Sequence, residues 1–90
     1  MMSSESPFDQ LDYPLDYEFK AFGPNHDDFN LALVDALKEV VTVSQHALRV
    51  RASSNSKHRC VTILVRVTSR KHLEQIYHQI HGVEGLRYLL

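Results

Sequence analysis

The sequence contains few residues that could cross-link, anchor or export the chain. Its one cysteine, Cys60, excludes an intramolecular disulfide and fits a reducing compartment. No apolar run approaches the length of a membrane span. The segment from Met1 to Phe8 has neither the basic region nor the apolar stretch of a secretory signal. We therefore expect a cytoplasmic protein without a membrane partner.

Glycine is also scarce, and its positions exclude one class of site. Gly23, Gly82 and Gly85 do not form a glycine-rich loop that could cradle a phosphate group. Each is instead predicted to lie in a turn or at the end of a helix.

What the sequence does have is an uneven distribution of charge. Residues 1–28 carry seven acidic side chains and one basic side chain, whereas residues 29–90 carry four acidic and nine basic ones. Either the two halves neutralise each other within the fold, or the basic half binds an acidic partner. A chain of 90 residues has room for one core. We place it in residues 13–90, preceded by a flexible acidic leader over residues 1–12.

Alternation of apolar and other residues predicts four strands. The clearest is the segment 60–68, where every second residue is Val61, Ile63, Val65 or Val67. The other three strands are Asp16 to Phe22, Ala47 to Ala52 and Leu86 to Leu90. A polar connector over residues 53–59 is predicted to form a flexible hairpin loop between the second and third strands.

Two segments have helical spacing instead. Apolar residues from Phe29 onward recur on one side of a helix that is expected to end between Val41 and Ser44, with capping side chains in residues 25–28. A second helix is expected to begin after Ser69 and to end at Gly82. The order βαββαβ predicts an α+β, ferredoxin-like two-layer sandwich. Both helices then cover one face of a four-stranded antiparallel sheet of order 4-1-3-2.

Several stretches are similar to the YbeD family of small bacterial proteins. The resemblance covers residues 13–90 and is carried by Tyr13 to Gly23, Ser53-Ser54, Val61-Thr62-Ile63, Leu73 to Tyr77 and Leu89-Leu90. The sequence departs from the family at the hairpin, where Ser56 and His58 replace a glycine and an aromatic residue. The resemblance implies a plait similar to ACT-type regulatory domains, no assigned enzymatic activity, and a regulatory link to lipoate metabolism.

The side chains that could carry out chemistry form no recognisable catalytic or metal-binding set. Glu74, His78 and His81 would share one face of the second helix, but a solvated helix surface is the simpler interpretation. Cys60 beside Arg59 could be an activated thiol, although a half-buried structural cysteine is favoured. The sequence therefore predicts a protein that is not an enzyme and needs no cofactor.

Strand parity places basic side chains on the sheet face that the helices leave open. The candidate binding residues are Lys20 on the first strand, Arg49 and Arg51 on the second, and Arg66 on the third. They predict a small regulatory or interaction module that binds a protein partner or a small ligand. The acidic leader is expected to lie partly over this face and to compete with an acidic partner.

Two further interactions are compatible with the sequence. The basic face could bind nucleic acid, but RNA-binding folds of this topology stack bases on aromatic side chains, and this face is expected to offer only Phe22. The last strand lies at an edge of the sheet, where unpaired backbone groups favour pairing with a second copy. This edge predicts a weak homodimer.

Overall fold

A computed structural model describes residues 11–90, so the predicted leader lies almost wholly outside the described residues. In chain order the elements are β1 (Leu15–Pro24), α1 (Asp27–Leu37), a one-turn 3₁₀ helix (Gln45–Ala47), β2 (Leu48–Ala52), β3 (His58–Val67), α2 (Arg70–His81) and β4 (Tyr88–Leu89). The antiparallel sheet has the order β2-β3-β1-β4, which is the predicted order read from the opposite edge. The predicted ferredoxin-like fold is confirmed. Neither α-helix of the described chain is long and apolar enough to cross a membrane.

The pairing of β1 with β3 forms the centre of the fold. It runs from Leu15 opposite Val67 to Pro24 opposite His58. Phe19 of β1 and four residues of β3 face the helices, and their side chains are fully or almost fully buried: Val61, Ile63, Val65 and Val67. The remaining buried residues of this core are Ala21, Phe29, Leu33, Leu37, Leu73, Ile76, Ile80 and Val83. The alternation seen in the sequence is therefore the alternation between the buried face and the open face of the sheet.

The first helix is shorter than predicted, because α1 ends at Leu37 and not between Val41 and Ser44. A turn follows, in which the amides of Val40 and Val41 both donate to the Leu37 carbonyl. The run from Val40 to Val43 is β-branched, which weakens a helix. The Val40 carbonyl also lies 2.7 Å from the Nε2 atom of His72 on α2, a long-range contact that no local pattern reveals.

The beginning of α1 and the β2–β3 hairpin are tied together. The helix cap is His26, whose Nδ1 atom accepts a hydrogen bond from the Asp28 amide at 3.1 Å. The Asn25 amide donates to the Lys57 carbonyl, and the Asn25 side chain donates to the Ser56 carbonyl at 2.9 Å. The connector that the sequence predicts to be flexible is therefore held at its end by the β1–α1 turn, and β3 begins at His58.

The last strand is also shorter than predicted, since β4 comprises only Tyr88 and Leu89. Backbone hydrogen bonds to β1 nevertheless extend to both neighbours: the Arg87 amide donates to the Phe22 carbonyl, and Leu90 exchanges two hydrogen bonds with Lys20. The β4 end of the sheet therefore covers only the second half of β1.

Candidate binding surface

The sheet surface opposite the helices is uncovered by any element of residues 11–90, and we call it the open face. The strand registers determine which residues lie on this face, because side chains directly opposite each other on neighbouring strands point to the same face. Its members are Asp16, Glu18, Lys20 and Phe22 of β1, Arg49 and Arg51 of β2, Cys60, Thr62, Leu64 and Arg66 of β3, and Tyr88 of β4. All four candidate binding residues thus lie on the open face, as strand parity predicts.

Two of these four cations have acidic neighbours on the same face. The Arg66 guanidinium lies 3.3 Å from an Asp16 carboxylate oxygen, on the directly opposing position of β1. The Lys20 ammonium lies 4.0 Å from a Glu18 carboxylate oxygen. The acidic half of the sequence therefore neutralises these two cations within the fold.

The other two cations, Arg49 and Arg51, form no ion pair within the described chain and are exposed. They lie on β2, which is an edge strand of the sheet. Arg49 is opposite Thr62 and Arg51 is opposite Cys60, while β2 begins only at Leu48, opposite Ile63, and does not reach the level of Arg66. From Thr62 to Arg66 is four residues along β3, or roughly 13 Å. The structure thus brings Arg49 and Arg51 together on one edge and separates both from Arg66.

The open face has a pair of aromatic side chains, whereas the sequence predicts only one aromatic residue, Phe22, on this face. Tyr88 lies opposite Phe22, and the two rings are stacked with their centroids 4.5 Å apart and their planes at 17°. The Tyr88 side chain is largely exposed. Because β4 has only two residues, its sequence has no alternation from which the face of Tyr88 could be read.

An apolar groove runs beside β2 on the helix side. Its apolar lining comes from Leu31 and Val34 of α1, Val43, and Leu48 at the start of β2, and its polar lining from Ser44 and the Asp35–Lys38 ion pair. Leu31 is 65% exposed, and Val50 on the same side of β2 as Leu48 is 46% exposed. The β2 edge therefore has two arginines without an ion pair among residues 11–90 on one face, and exposed apolar surface on the other.

Two of the three candidate metal ligands on α2, Glu74 and His81, have contacts within the fold. Glu74 accepts a hydrogen bond from Arg70 at 3.1 Å, and the His81 ring stacks on Tyr77. Within residues 11–90, no three His, Cys, Asp or Glu side chains are grouped so that they could hold a metal ion. Burial raises the pKa of the Tyr77 phenol, and its hydrogen bond with the Tyr17 hydroxyl at 3.3 Å adds to this effect.

Fold and surface together define a small ferredoxin-like domain with one uncovered, partly basic sheet face. Residues 9–90 match the family described as "Protein of unknown function (DUF493)", and the chain belongs to this family. It is 38% identical over 89 residues to a UPF0250 protein of Shewanella sp. (strain ANA-3), covering 92% of this chain and 94% of that protein. Identity to a UPF0250 protein of Idiomarina loihiensis is 31% over 84 residues, with the same coverage of 92% and 94%. These relatives agree with the resemblance to the YbeD family.

The fold also occurs in a solved structure. The solution structure of protein HP0495 from H. pylori matches with a TM-score of 0.74, covering 100% of this chain and 96% of that chain. The sequences are 16% identical, so the likeness concerns the fold alone.

Proposed function

We propose that the protein is a non-enzymatic interaction module that binds an acidic protein partner through Arg49 and Arg51 at the β2 edge of the sheet. One observation carries this proposal: these two arginines are exposed and have no ion pair in the described chain, whereas Lys20 and Arg66 on the same face are paired. Two like charges on alternate positions of one strand repel each other, and an acidic partner relieves that repulsion.

The contacts of His72 support a binding role better than a catalytic one. His72, a candidate general base by residue type, accepts a hydrogen bond from the Thr68 amide at Nδ1 and contacts the Val40 carbonyl through Nε2. Both ring nitrogens therefore hold the fold together. The resemblance to the YbeD family adds a regulatory role, and makes enzymes of lipoate metabolism the first partners to test.

The test is a comparative capture experiment from a bacterial extract. The immobilised wild-type protein is compared with an Arg49→Glu/Arg51→Glu variant and with a Lys71→Glu/Arg87→Glu variant, which reverses the same number of exposed charges away from β2. We expect the wild type and Lys71→Glu/Arg87→Glu to retain the same acidic proteins, and Arg49→Glu/Arg51→Glu to lose them. Equal retention by all three proteins would contradict a site at Arg49 and Arg51.

A second candidate function, binding of single-stranded nucleic acid, is favoured by the stacked pair of Phe22 and Tyr88. Arg51 and Phe22 flank Cys60 from opposite sides, so a cation lies on the same row of the open face as the aromatic pair. Bases stack on such rings, and removal of one ring costs about 1–3 kcal/mol per base. Fluorescence anisotropy with a labelled single-stranded RNA tests this function. We expect the wild type to bind the RNA less tightly as the salt concentration increases, and Tyr88→Ala to lose the binding.

A further inference from the structure

We propose that β2 receives an extended acidic segment of the partner as a fifth, antiparallel strand. Two acidic side chains at alternate positions of this segment face Arg49 and Arg51, and an apolar side chain between them lies beside Val50. This inference rests on the proposed function and specifies the form in which the acidic partner binds.

The backbone of β2 directs hydrogen-bonding groups to its outer side. The Ser53 amide donates to the His58 carbonyl at 2.8 Å, so odd-numbered residues of β2 direct their amides and carbonyls to β3. Successive residues of a strand alternate in this direction, and the groups of Val50 and Ala52 therefore point away from the sheet. No strand of the described chain lies on that side.

The position of the arginines on β2 favours an antiparallel segment with acidic side chains. On the outer side, Val50 would form the hydrogen-bonded pair with the added strand, and Arg49 and Arg51 would occupy the adjoining non-hydrogen-bonded pairs. Side chains in non-hydrogen-bonded pairs approach more closely, with Cα atoms about 4.5 Å apart instead of about 5.5 Å. Acidic residues opposite the two arginines would thus be in ion-pair range.

The helix side of the same edge explains the apolar residue in the middle. A side chain opposite Val50 would project toward the helices, beside the groove that Leu31, Val34 and Leu48 line. Burial of apolar surface there adds to the affinity. The edge is thus complementary to an alternating acidic–apolar–acidic segment.

A second copy of β2 does not fit this edge. Antiparallel pairing of two identical β2 strands about Val50 would set Arg49 of each copy opposite Arg51 of the other. Like charges on directly opposite positions destabilise a strand pair. The charge pattern therefore favours a different, acidic chain as the occupant.

The test measures fluorescence anisotropy of a labelled peptide that alternates glutamate and valine, added to the full-length protein. A control peptide has the same composition, with all glutamates grouped before all valines. We expect the wild type to bind the alternating peptide at least about tenfold more tightly than it binds the control peptide. We expect Arg49→Glu/Arg51→Glu to bind the alternating peptide at least about tenfold more weakly than the wild type does. In both cases the lost ion pairs and backbone hydrogen bonds contribute more binding free energy than a tenfold change in affinity requires. Equal binding of both peptides overturns the inference, while an Arg-dependent capture of acidic proteins would still support the proposed function.

Backbone methylation separates strand addition from a purely electrostatic contact. In the antiparallel arrangement, the valine amides of the peptide point to β2 and the glutamate amides point away. Methylation of the valine amides should weaken binding about tenfold, whereas methylation of the glutamate amides should leave it within about threefold. Equal sensitivity to both modifications overturns strand addition.

A protein variant tests the same backbone group from the other side. Val50→Pro removes an amide that faces the outer edge and leaves both arginines in place, and proline is tolerated on edge strands. We expect this variant to lose peptide binding about tenfold while retaining its elution position on an anionic resin, with circular dichroism confirming that it is folded. Unchanged peptide binding by the folded variant overturns the proposed role of the Val50 amide.

Discussion

At the scale of single residues, the Arg59 side chain joins three others by hydrogen bonds. Its Nε atom donates to the Asn25 side chain at 3.0 Å, and its Nη1 atom donates to Asp27 at 3.2 Å and to Asn30 at 2.8 Å. The side chain is only 12% exposed. It lies at the base of the β2–β3 hairpin and holds the beginning of α1 against β3.

Replacement of Arg59 by methionine should therefore destabilise the protein. The variant keeps the apolar length of the side chain but loses three hydrogen bonds, and we expect the free energy of unfolding to fall by about 1–3 kcal/mol. Chemical denaturation followed by circular dichroism measures this change. Arg51→Met, at an exposed position of the neighbouring strand, is the control and should change stability by no more than about 0.5 kcal/mol. An equal effect of both substitutions would contradict the role assigned to Arg59.

The Tyr17–Tyr77 pair predicts a loss of stability at alkaline pH. Burial of Tyr77 raises the pKa of its phenol in the folded state, so the unfolded chain loses this proton first as the pH increases. Stability is then full below the ordinary tyrosine pKa of about 10 and decreases above it. Urea midpoints measured from pH 8 to pH 11 should show this decrease in the wild type and a smaller one in Tyr77→Phe. Parallel curves for the two proteins would refute the assignment.

At the scale of elements, β3 supplies more of the core than any other strand. Val65 is almost completely buried, whereas its neighbour Leu64 is 47% exposed on the open face. Val65→Ala should cost roughly 1–3 kcal/mol, because it removes two methyl groups and leaves a cavity. Leu64→Ala should cost less, although it removes more atoms. Chemical denaturation of the two variants tests which face of β3 is buried. A larger loss of stability in Leu64→Ala than in Val65→Ala would mean that the opposite face is buried.

The sequence predicts the elements best where the information is local. The alternation in β1 and β3 and the periodicity of α2 are visible residue by residue, and each correctly indicates the buried face. The turn after α1 is held by the contact between Val40 and His72, which are distant in sequence. Tyr88 is assigned to the open face only by its pairing with Phe22. Similarly, parity places Arg49, Arg51 and Arg66 on one face, but only the register shows that Arg66 is paired with Asp16.

At the scale of the whole molecule, the two edges of the sheet differ. β2 forms one edge along its full length, whereas at the other edge no strand of residues 11–90 pairs with the backbone of Asp16 and Glu18 on the β4 side. Leu90 is 64% exposed at this second edge. The proposed weak homodimer belongs here, since unpaired backbone and apolar surface occur together.

Analytical ultracentrifugation tests the proposed homodimer. We expect a sedimentation coefficient that increases with protein concentration for the wild type and stays at the monomer value for Leu90→Lys, because the lysine charge would be placed in the interface. Arg49→Glu/Arg51→Glu serves as the control at the opposite edge and should associate like the wild type. A monomer at all concentrations would disprove the dimer, and a dimer unaffected by Leu90→Lys would assign it to another surface.

Hydrogen exchange of β3 should show an alternating pattern that reflects the whole sheet. The amides of Ile63, Val65 and Val67 face β1, which pairs with β3 along its entire length. The amides of Leu64 and Arg66 face the other side, before the start of β2, where a 3₁₀ turn and not a strand lies beside β3. We therefore expect slow exchange at the first three amides and faster exchange at the last two, measured by NMR. Uniform protection from Val61 to Val67 would mean that the β2 side is covered.

The pairing of β1 with β3 has a consequence for how fast the protein folds. Both α1 and β2 lie between these two strands in the sequence. The pairing of β1 with β3, which extends along the whole of both strands, therefore requires closure of a long loop. Such contacts slow folding, since the entropy of the loop is lost before the contacts form. α1 and the β2–β3 hairpin close locally and do not have this barrier. During synthesis, β1 therefore cannot form its pairing with β3 until residues 58–67 have left the ribosome.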